Sequence, residues 1–263
     1  MLHADGRNSF VRKTAAHPGV NARLMAQAEK QHRLFMLALP FPRVLGQGAQ
    51  DGHACFDMAY LPGRTVADAA INAAPLDAAM VARTVERMLW LFMPCAGSAI
   101  PAVLFRDKIA SLARMDDPSV RACAARLMAC DWEGIPESPC HGDLTLENIL
   151  LTAGKTVAFI DCDEAWVSSW WLDFAKLFQD IEGHWCLREL YAPDAPPVRR
   201  VNAIQKLAPL GQVFRALAAT CDPALPARLP QLAALSLLRA APYARDAQTL
   251  AFICARANHL LDA

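Results

Sequence analysis

Apolar and polar residues follow two different spacings, and the first spacing occupies the N-terminal part of the chain. Residues 9–14 alternate and predict the end of a hairpin, on a strand that carries Lys13. Residues 21–39 place apolar side chains near one helical face, with Asn21 as the candidate N-cap. Residues 43–63 predict two short strands around a glycine-rich turn. The pattern therefore predicts a small region of strands with one helix.

From residue 77 onward, apolar residues mostly recur at helical spacing. The residues that show this spacing first are Val81, Val85, Met88, Leu89, Phe92, Ile109, Leu112, Val120 and Leu127. A second helical series fills residues 198–263, after a loop marked by prolines. The two spacings together predict an α+β protein in which a small mixed sheet region precedes a mostly helical region.

Composition excludes several classes of function. Lys plus Arg number 26 and Asp plus Glu number 26, so the chain has no basic surplus and we expect no nucleic-acid partner. Nine cysteines without a CxxC pair indicate a reduced, cytoplasmic protein, in which buried thiols are commoner than metal ligands or nucleophiles. The longest uncharged run, residues 88–105, contains two prolines and a glycine. We therefore expect a buried helix and a loop there, and no membrane span.

A second hairpin is predicted between two apolar runs, residues 149–152 and 156–160. A tight turn centred on Gly154-Lys155 would pair residues whose numbers sum to 309, which places Asn148 opposite Asp161. Directly opposed residues lie roughly 5 Å apart. The hairpin would therefore hold an amide oxygen and a carboxylate side by side at its open end.

These residues together predict phosphoryl-transfer chemistry. Mg²⁺ prefers oxygen ligands, which Asn148 and Asp161 provide, and it usually completes its octahedron with water and phosphate. Asp143, five residues before Asn148, is placed to orient a hydroxyl. Each residue by itself is typical of a solvated turn. The spacing of all three, in the predicted structural context, favours the chemical interpretation.

Two segments resemble the active site of one enzyme superfamily. The stretch HGDLTLEN, residues 141–148, resembles the HGDxxxxN catalytic loop of the aminoglycoside phosphotransferase and choline kinase superfamily, relatives of protein kinases. FIDCDEA, residues 159–165, resembles the metal segment that follows this loop. Asp173 matches the superfamily aspartate that braces the catalytic loop.

The resemblance implies a reaction and a set of roles. Asp143 would accept or orient the proton of a substrate hydroxyl, and Asn148 and Asp161 would hold Mg²⁺ on the phosphates of ATP. His141 would organise the loop. The implied enzyme is an ATP- and Mg²⁺-dependent phosphotransferase that acts on the hydroxyl of a small molecule.

The resemblance extends to the N-terminal part of the chain. FVRK is similar to the small-lobe strand whose lysine holds the α and β phosphates, which assigns that role to Lys13. Glu29, on the next helix, is similar to the glutamate that pairs with this lysine. DMAYLPG resembles the inter-lobe hinge, which implies adenine contacts from the C=O of Ala59 and the N–H of Leu61.

The implied fold is a two-lobed, protein-kinase-like α+β fold. Residues 1–60 would form a reduced N-terminal nucleotide-binding lobe, and residues 61–263 a large helical lobe for catalysis and substrate. Most relatives place two strands and a nucleotide-covering loop before the lysine, whereas twelve residues precede Lys13 here. ATP would then be held without this lid, or the lid would come from another chain or from a start assigned too late.

The acceptor would be bound by the helical region after Asp173. The candidate residues are Trp170, Trp171, Trp185, Tyr191, Asp180 and Glu182, a mixture that suits a cation, although such aromatics more often form core. Asp163 and Glu164 are candidates to assist the metal or the acceptor, but exposed carboxylates are common after a strand. Amino sugars, amino alcohols, saccharides and nucleosides all stay open as acceptors, and the oligomeric state is not set by the sequence.

Two other classes of protein remain as alternatives. The chain could be a kinase-like nucleotide-binding or regulatory protein with weak or no turnover, because the glycine-rich loop is missing. A protein kinase is disfavoured, since the sequence has no HRD triplet, no DFG and no APE segment.

Overall fold

The computed structural model describes residues 2–5, 8–154 and 156–262. In its N-terminal part, one helix packs on a four-stranded antiparallel sheet with the strand order β1-β2-β4-β3. The elements are β1 (Leu2–Asp5), β2 (Asn8–Thr14), α1 (Asn21–Met36), β3 (Val44–Gln50) and β4 (His53–Ala59). A small apolar cluster of Ala28, Phe56 and Met58 joins α1 to β4.

The two predicted hairpins of this part are confirmed. Strand β1 pairs with β2, and β3 pairs with β4 through a turn at Asp51 and Gly52, whose φ angles are 51° and 78°. Two successive positive φ angles are typical of a type I′ turn. Asn21 is not the cap of α1, because its side chain donates to the Gly52 C=O (2.9 Å) and accepts from the Ala54 N–H (2.8 Å). It fastens the start of α1 to the β3–β4 turn.

A second, three-stranded sheet has the order β5-β6-β7 and consists of β5 (Gly63–Thr65), β6 (Ile149–Thr152) and β7 (Val157–Phe159). The β6–β7 hairpin is confirmed, but its predicted register is wrong by one residue. Ile149 pairs with Phe159, and the Ile160 N–H donates to the Asn148 C=O (3.0 Å). Asn148 therefore lies opposite Ile160, and Asp161 follows.

The error comes from the length of the connection. The Thr152 N–H donates to the Thr156 C=O (2.9 Å), so three residues stand between these partners and not two. Lys155, half of the predicted turn, lies outside the described residues. The shift still leaves Asp161 beside the Asn148–Ile160 pair at the open end of the hairpin.

The rest of the chain is helical. Its helices are α2 (Val66–Ile71), α3 (Ala78–Phe92), α4 (Ala102–Ala113), α5 (Pro118–Met128), α6 (Trp170–Ile181), α7 (Pro197–Cys221), α8 (Leu225–Leu238) and α9 (Ala247–Leu261). All nine apolar positions chosen from the spacing after residue 77 are buried. Aspartates cap three of these helices: Asp77 begins α3, Asp117 begins α5 and Asp246 begins α9. Within the described residues, no helix is long and apolar enough to cross a membrane.

Helix α6 lies at the centre of this helical part. Every residue of α6 is buried except Lys176, and the Ser169 hydroxyl caps its first turn. Helices α7 and α8 pack against it, for example through the Phe174 and Phe214 rings, whose centroids are 6.4 Å apart. A helix buried on all sides is a rigid support for the polar groups that it carries.

Candidate active site

Two carboxylates of α6 accept hydrogen bonds from the backbone of the loop of residues 141–148. Asp173 accepts from the N–H groups of His141 (2.6 Å) and Gly142 (2.9 Å), and Asp180 accepts from the Leu146 N–H (2.6 Å). Both carboxylates are fully buried. Burial raises the pKa of each to about 7, although the backbone N–H groups act in the opposite direction. Asp173 thus lies where the brace was expected.

Gly142 and His141 fix the backbone conformation at the start of the loop. Gly142 has φ +93°, and a Cβ there would lie 2.1 Å from the Asp163 C=O, so only glycine fits. His141 is buried against the Phe41 ring, with centroids 5.6 Å apart, and burial lowers the pKa of its imidazole to about 3. The neutral ring accepts the Asp143 N–H at Nδ1 (3.3 Å). His141 is therefore a fixed part of the loop.

Asp143 lies between an amide and an ammonium group. Asn148 Nδ2 donates to the Asp143 carboxylate (2.9 Å) and to its C=O (2.8 Å). Lys176, the one α6 residue that is not buried, places Nζ 3.1 Å from Asp143 Oδ1. The Asp143 side chain is 40% exposed, so it is held in position and still reachable by a hydroxyl.

Asn148 and Asp161 carry oxygen atoms of the type that Mg²⁺ prefers as ligands. With Nδ2 engaged by Asp143, the Asn148 Oδ1 has no hydrogen-bond partner among the described residues. Asp161 has φ 59°, a strained region that Asp tolerates better than most residues, and one of its oxygens contacts Lys13 Nζ (2.7 Å). The described chain holds no group of three His, Cys, Asp or Glu suited to a metal. An amide and a carboxylate with phosphate and water fit Mg²⁺.

Lys13 reaches the site as expected, but Glu29 does not lie beside it. Glu29 is exposed, and the ion pairs of the described residues do not include it. Lys13 Nζ contacts Gln27 Oε1 instead (3.4 Å), and Gln27 is buried. Residues two positions apart on a helix point to different faces, so Glu29 faces away from Lys13 when Gln27 faces it. The predicted Lys13–Glu29 contact is therefore wrong, and Gln27 contacts Lys13 instead.

Helix α1 is attached to the segment that carries Asp161. Gln27 Nε2 donates to the Cys162 C=O (2.6 Å), and Lys30 Nζ donates to the Asp163 C=O (2.5 Å). Arg23 Nε donates to the Asp163 carboxylate (3.1 Å). The Asp163 side chain is therefore paired with α1. The neighbouring carboxylate, Glu164, is exposed and has no cation partner among the described residues.

The predicted adenine contacts lie at the end of β4. Ala59 is the last residue of the strand, and its N–H donates to the Arg43 C=O (2.9 Å). The Leu61 N–H has no hydrogen-bond acceptor within the part of the chain that is described. Residues 60–62 join β4 to β5, so this free N–H lies in the connection between the two sheets.

The candidate aromatic residues for the acceptor have separate environments. Trp170 and Trp171 are buried in the core, in agreement with the commoner role of such residues. The Trp185 ring lies under the Arg188 guanidinium (4.6 Å), and the Tyr191 ring under that of Arg200 (4.7 Å). Asp180 braces the loop and Glu182 pairs with Arg215 (2.6 Å). These residues do not form one cation site.

A cleft of about 690 Å³ opens beside the catalytic loop. We call it the Asp143 cleft; its lining includes Asp143, Asn148, Trp166, Lys176, Ser236 and Arg239. The sequence interpretation missed Lys176 and the loop contact of Asp180. Both could have been found from spacing, because they follow Asp173 by three and seven residues and so share its helical face. Arg239 directly follows α8, far along the chain from the catalytic loop, so no local spacing indicates it.

The comparisons with known proteins identify a family and a fold. The model of the phosphotransferase enzyme family matches residues 2–210. A choline kinase, LicA, from Streptococcus pneumoniae has 11% identity and a TM-score of 0.55, with 99% of this chain and 89% of that chain covered. A putative fructosamine-3-kinase from Haemophilus somnus 129PT has 14% identity and a TM-score of 0.54, covering 99% and 86%. No curated protein matches the chain at a significant level.

The two solved structures confirm the predicted two-lobed, kinase-like fold with a reduced N-terminal lobe. The family match covers the lysine strand, the three hairpins, the catalytic loop and α6. The chain thus belongs to the phosphotransferase enzyme family and is a small-molecule phosphotransferase that acts on a hydroxyl group.

Proposed function

We propose that this enzyme transfers the γ-phosphate of ATP, bound with Mg²⁺, to the hydroxyl of a small molecule. The observation that carries the proposal is the group of polar residues at the open end of the β6–β7 hairpin. There Asn148 contacts Asp143, and Lys13 contacts Asp161. Metal ligands, a phosphate-binding cation and a base for the hydroxyl are the parts that phosphoryl transfer requires.

Each residue has a role that follows from its contacts. Asp143, fixed by Asn148 and Lys176, orients the acceptor hydroxyl and takes its proton. Asn148 and Asp161 would hold Mg²⁺, which neutralises charge on the phosphates. Lys13, held by Gln27, would steady the α and β phosphates.

The adenine would be bound by the backbone at Ala59 and Leu61, where the Leu61 N–H is uncommitted within the described residues. We propose a cytoplasmic location with this activity, because all nine cysteines are free and the cytosol keeps thiols reduced.

The test is calorimetric titration with ATP, with and without Mg²⁺, of the wild type and of Asp161→Asn. Asn tolerates the left-handed backbone of this position, so the variant removes charge without adding strain. We expect Mg²⁺-dependent binding that the variant loses. Equal binding with and without Mg²⁺, or equal binding by the variant, would contradict the proposal.

Asp143→Asn tests the chemical step separately. We expect unchanged Mg-ATP binding and phosphoryl transfer reduced by roughly 10²- to 10⁴-fold, the usual contribution of general base catalysis. Transfer is measured as ADP release that depends on the acceptor. Wild-type rates in the variant would remove Asp143 from the mechanism.

A further inference from the structure

Arg239, directly after α8, lines the Asp143 cleft without a carboxylate partner among the described residues. Its guanidinium lies over the Trp166 ring, 5.2 Å from the centroid. The Arg239 Nε is buried and has no hydrogen-bond partner among the described residues. Burial lowers the pKa of the guanidinium, because a desolvated cation is costly. Arg239 is therefore a fixed, partly desolvated cation that faces a cavity.

Most of the other charges in the lining of the cleft have an ion-pair partner. Lys176 pairs with Asp143 (3.1 Å), and Arg23 pairs with Asp163 (3.1 Å between Nε and Oδ1). Glu147, which also lines the cleft, pairs with Arg188 (3.0 Å).

One lining carboxylate, Glu164, has no cation partner within the described chain, and it is exposed. An exposed ion pair contributes little to binding, whereas a pair with a desolvated guanidinium contributes more. The cleft is therefore better suited to a negative group on the acceptor than to a positive one.

We propose that the acceptor is a hydroxy acid, whose carboxylate pairs with Arg239 while its hydroxyl meets Asp143. This inference rests on the proposed phosphotransferase function. A single planar guanidinium matches the two oxygens of a carboxylate. Ser236, one turn earlier on α8, lines the same wall and offers a hydroxyl to the bound group.

The reaction then balances as a simple transfer. The acceptor oxygen forms the new P–O bond as the bond between the γ-phosphorus and the bridging oxygen of ADP breaks. The hydroxyl proton passes to Asp143 and then to solvent. The products are ADP and a phosphorylated hydroxy acid.

The experiment compares matched acids and amides by calorimetric titration of the nucleotide-free protein. The probes are D-glycerate, D-gluconate and L-serine, each beside its carboxamide, with ethanolamine and glucosamine as cationic probes. We expect at least one acid to bind about 10- to 100-fold more tightly than its amide, the range for a charge-assisted hydrogen-bonded pair. Arg239→Gln should remove this preference, and Arg239→Lys should keep part of it.

Arg215→Gln is the matched control. Arg215 also stacks on an aromatic ring, that of Phe178 (5.4 Å), and pairs with a carboxylate, but it does not line the cleft. The control variant should keep the full acid preference. Thermal melting followed by circular dichroism shows whether each variant is folded, and the acid–amide comparison in the wild type does not depend on any variant.

Several outcomes overturn the proposal: amides that bind as tightly as acids, a preference that survives Arg239→Gln, tighter binding of the cationic probes, or no acid binding at millimolar concentration. The titration uses no nucleotide, so its result is separate from the Mg-ATP titration that tests the proposed function. Transfer to the bound acid is then followed by ³¹P NMR with Mg-ATP.

Discussion

Gln27 is a single side chain that joins the lysine strand to the segment after β7. It accepts from Lys13 and donates to the Cys162 C=O. Gln27→Ala leaves this buried carbonyl without its side-chain donor, so we expect a loss of about 1–3 kcal/mol of unfolding free energy. We also expect weaker Mg-ATP binding, because Lys13 loses a contact. Urea denaturation and calorimetry measure the two effects.

Glu29→Ala is the matched control on the same helix. Glu29 is exposed, so we expect a change within about 0.5 kcal/mol and unchanged Mg-ATP binding. Equal effects of the two substitutions on nucleotide binding would restore Glu29 as the partner of the lysine and count against Gln27.

Helix α6 acts as one element that carries the loop's supports on a single face. Asp173, Lys176 and Asp180 contact the loop, and a buried helix fixes all three positions together. Two of these side chains are carboxylates whose pKa is raised to about 7 by burial. The loop's support is therefore linked to pH.

Asp180→Asn tests this linkage while keeping an oxygen for the Leu146 N–H. The pKa of Asp180 is about 7 in the folded state and roughly 3.9 in an unfolded chain, so the folded state holds the proton more tightly. The stability that Asp180 contributes is present below about pH 4 and is lost as the pH rises towards 7. The unfolding free energy of the variant minus that of the wild type should therefore increase as the pH rises from about 4 towards 7.

The measurement is the urea-unfolding free energy of Asp180→Asn minus that of the wild type, determined at pH 5 and again at pH 7.5. A difference is needed because other groups act in the opposite direction, such as His141, whose imidazole pKa burial lowers to about 3. A difference that stays constant between the two pH values would show that Asp180 is ionised in the folded protein throughout.

The positions of helices and strands could be predicted from the sequence better than the register in which strands pair. Helical spacing predicts a buried face, and all nine chosen positions are buried in the structure. The predicted β6–β7 register was wrong by one residue because two short apolar runs do not show whether two or three residues connect the strands. Asp143, Asn148 and Asp161 were visible through local spacing. Gln27 and Arg239 were not, because Cys162, which accepts from Gln27, and Trp166, which lies under Arg239, are each more than 70 residues away in the chain.

For the whole molecule, the junction between the two sheets depends on Gly63. A Cβ at Gly63 would lie 2.4 Å from the Leu151 C=O, so β5 and β6 must separate to admit one. We expect Gly63→Ala to cost about 1–3 kcal/mol of unfolding free energy. Thermal and urea denaturation measure the loss.

Gly46→Ala is the control for this substitution, since a Cβ there meets nothing within 4 Å. We expect it to be neutral or slightly stabilising, through the reduced freedom of the unfolded chain. A loss at Gly46 as large as that at Gly63 would mean that the close approach of β5 to β6 is not the cause.

The contacts of α1 with the Asp161 segment have a mechanical consequence. The N-terminal lobe is joined to the helical lobe at residues 60–62, and again where Lys13, Gln27 and Lys30 contact residues 161–163. Two lobes that are joined at two separate places cannot rotate about one place without breaking the contacts at the other. The lobes therefore cannot separate by a simple hinge rotation at residues 60–62 unless the contacts at residues 161–163 break.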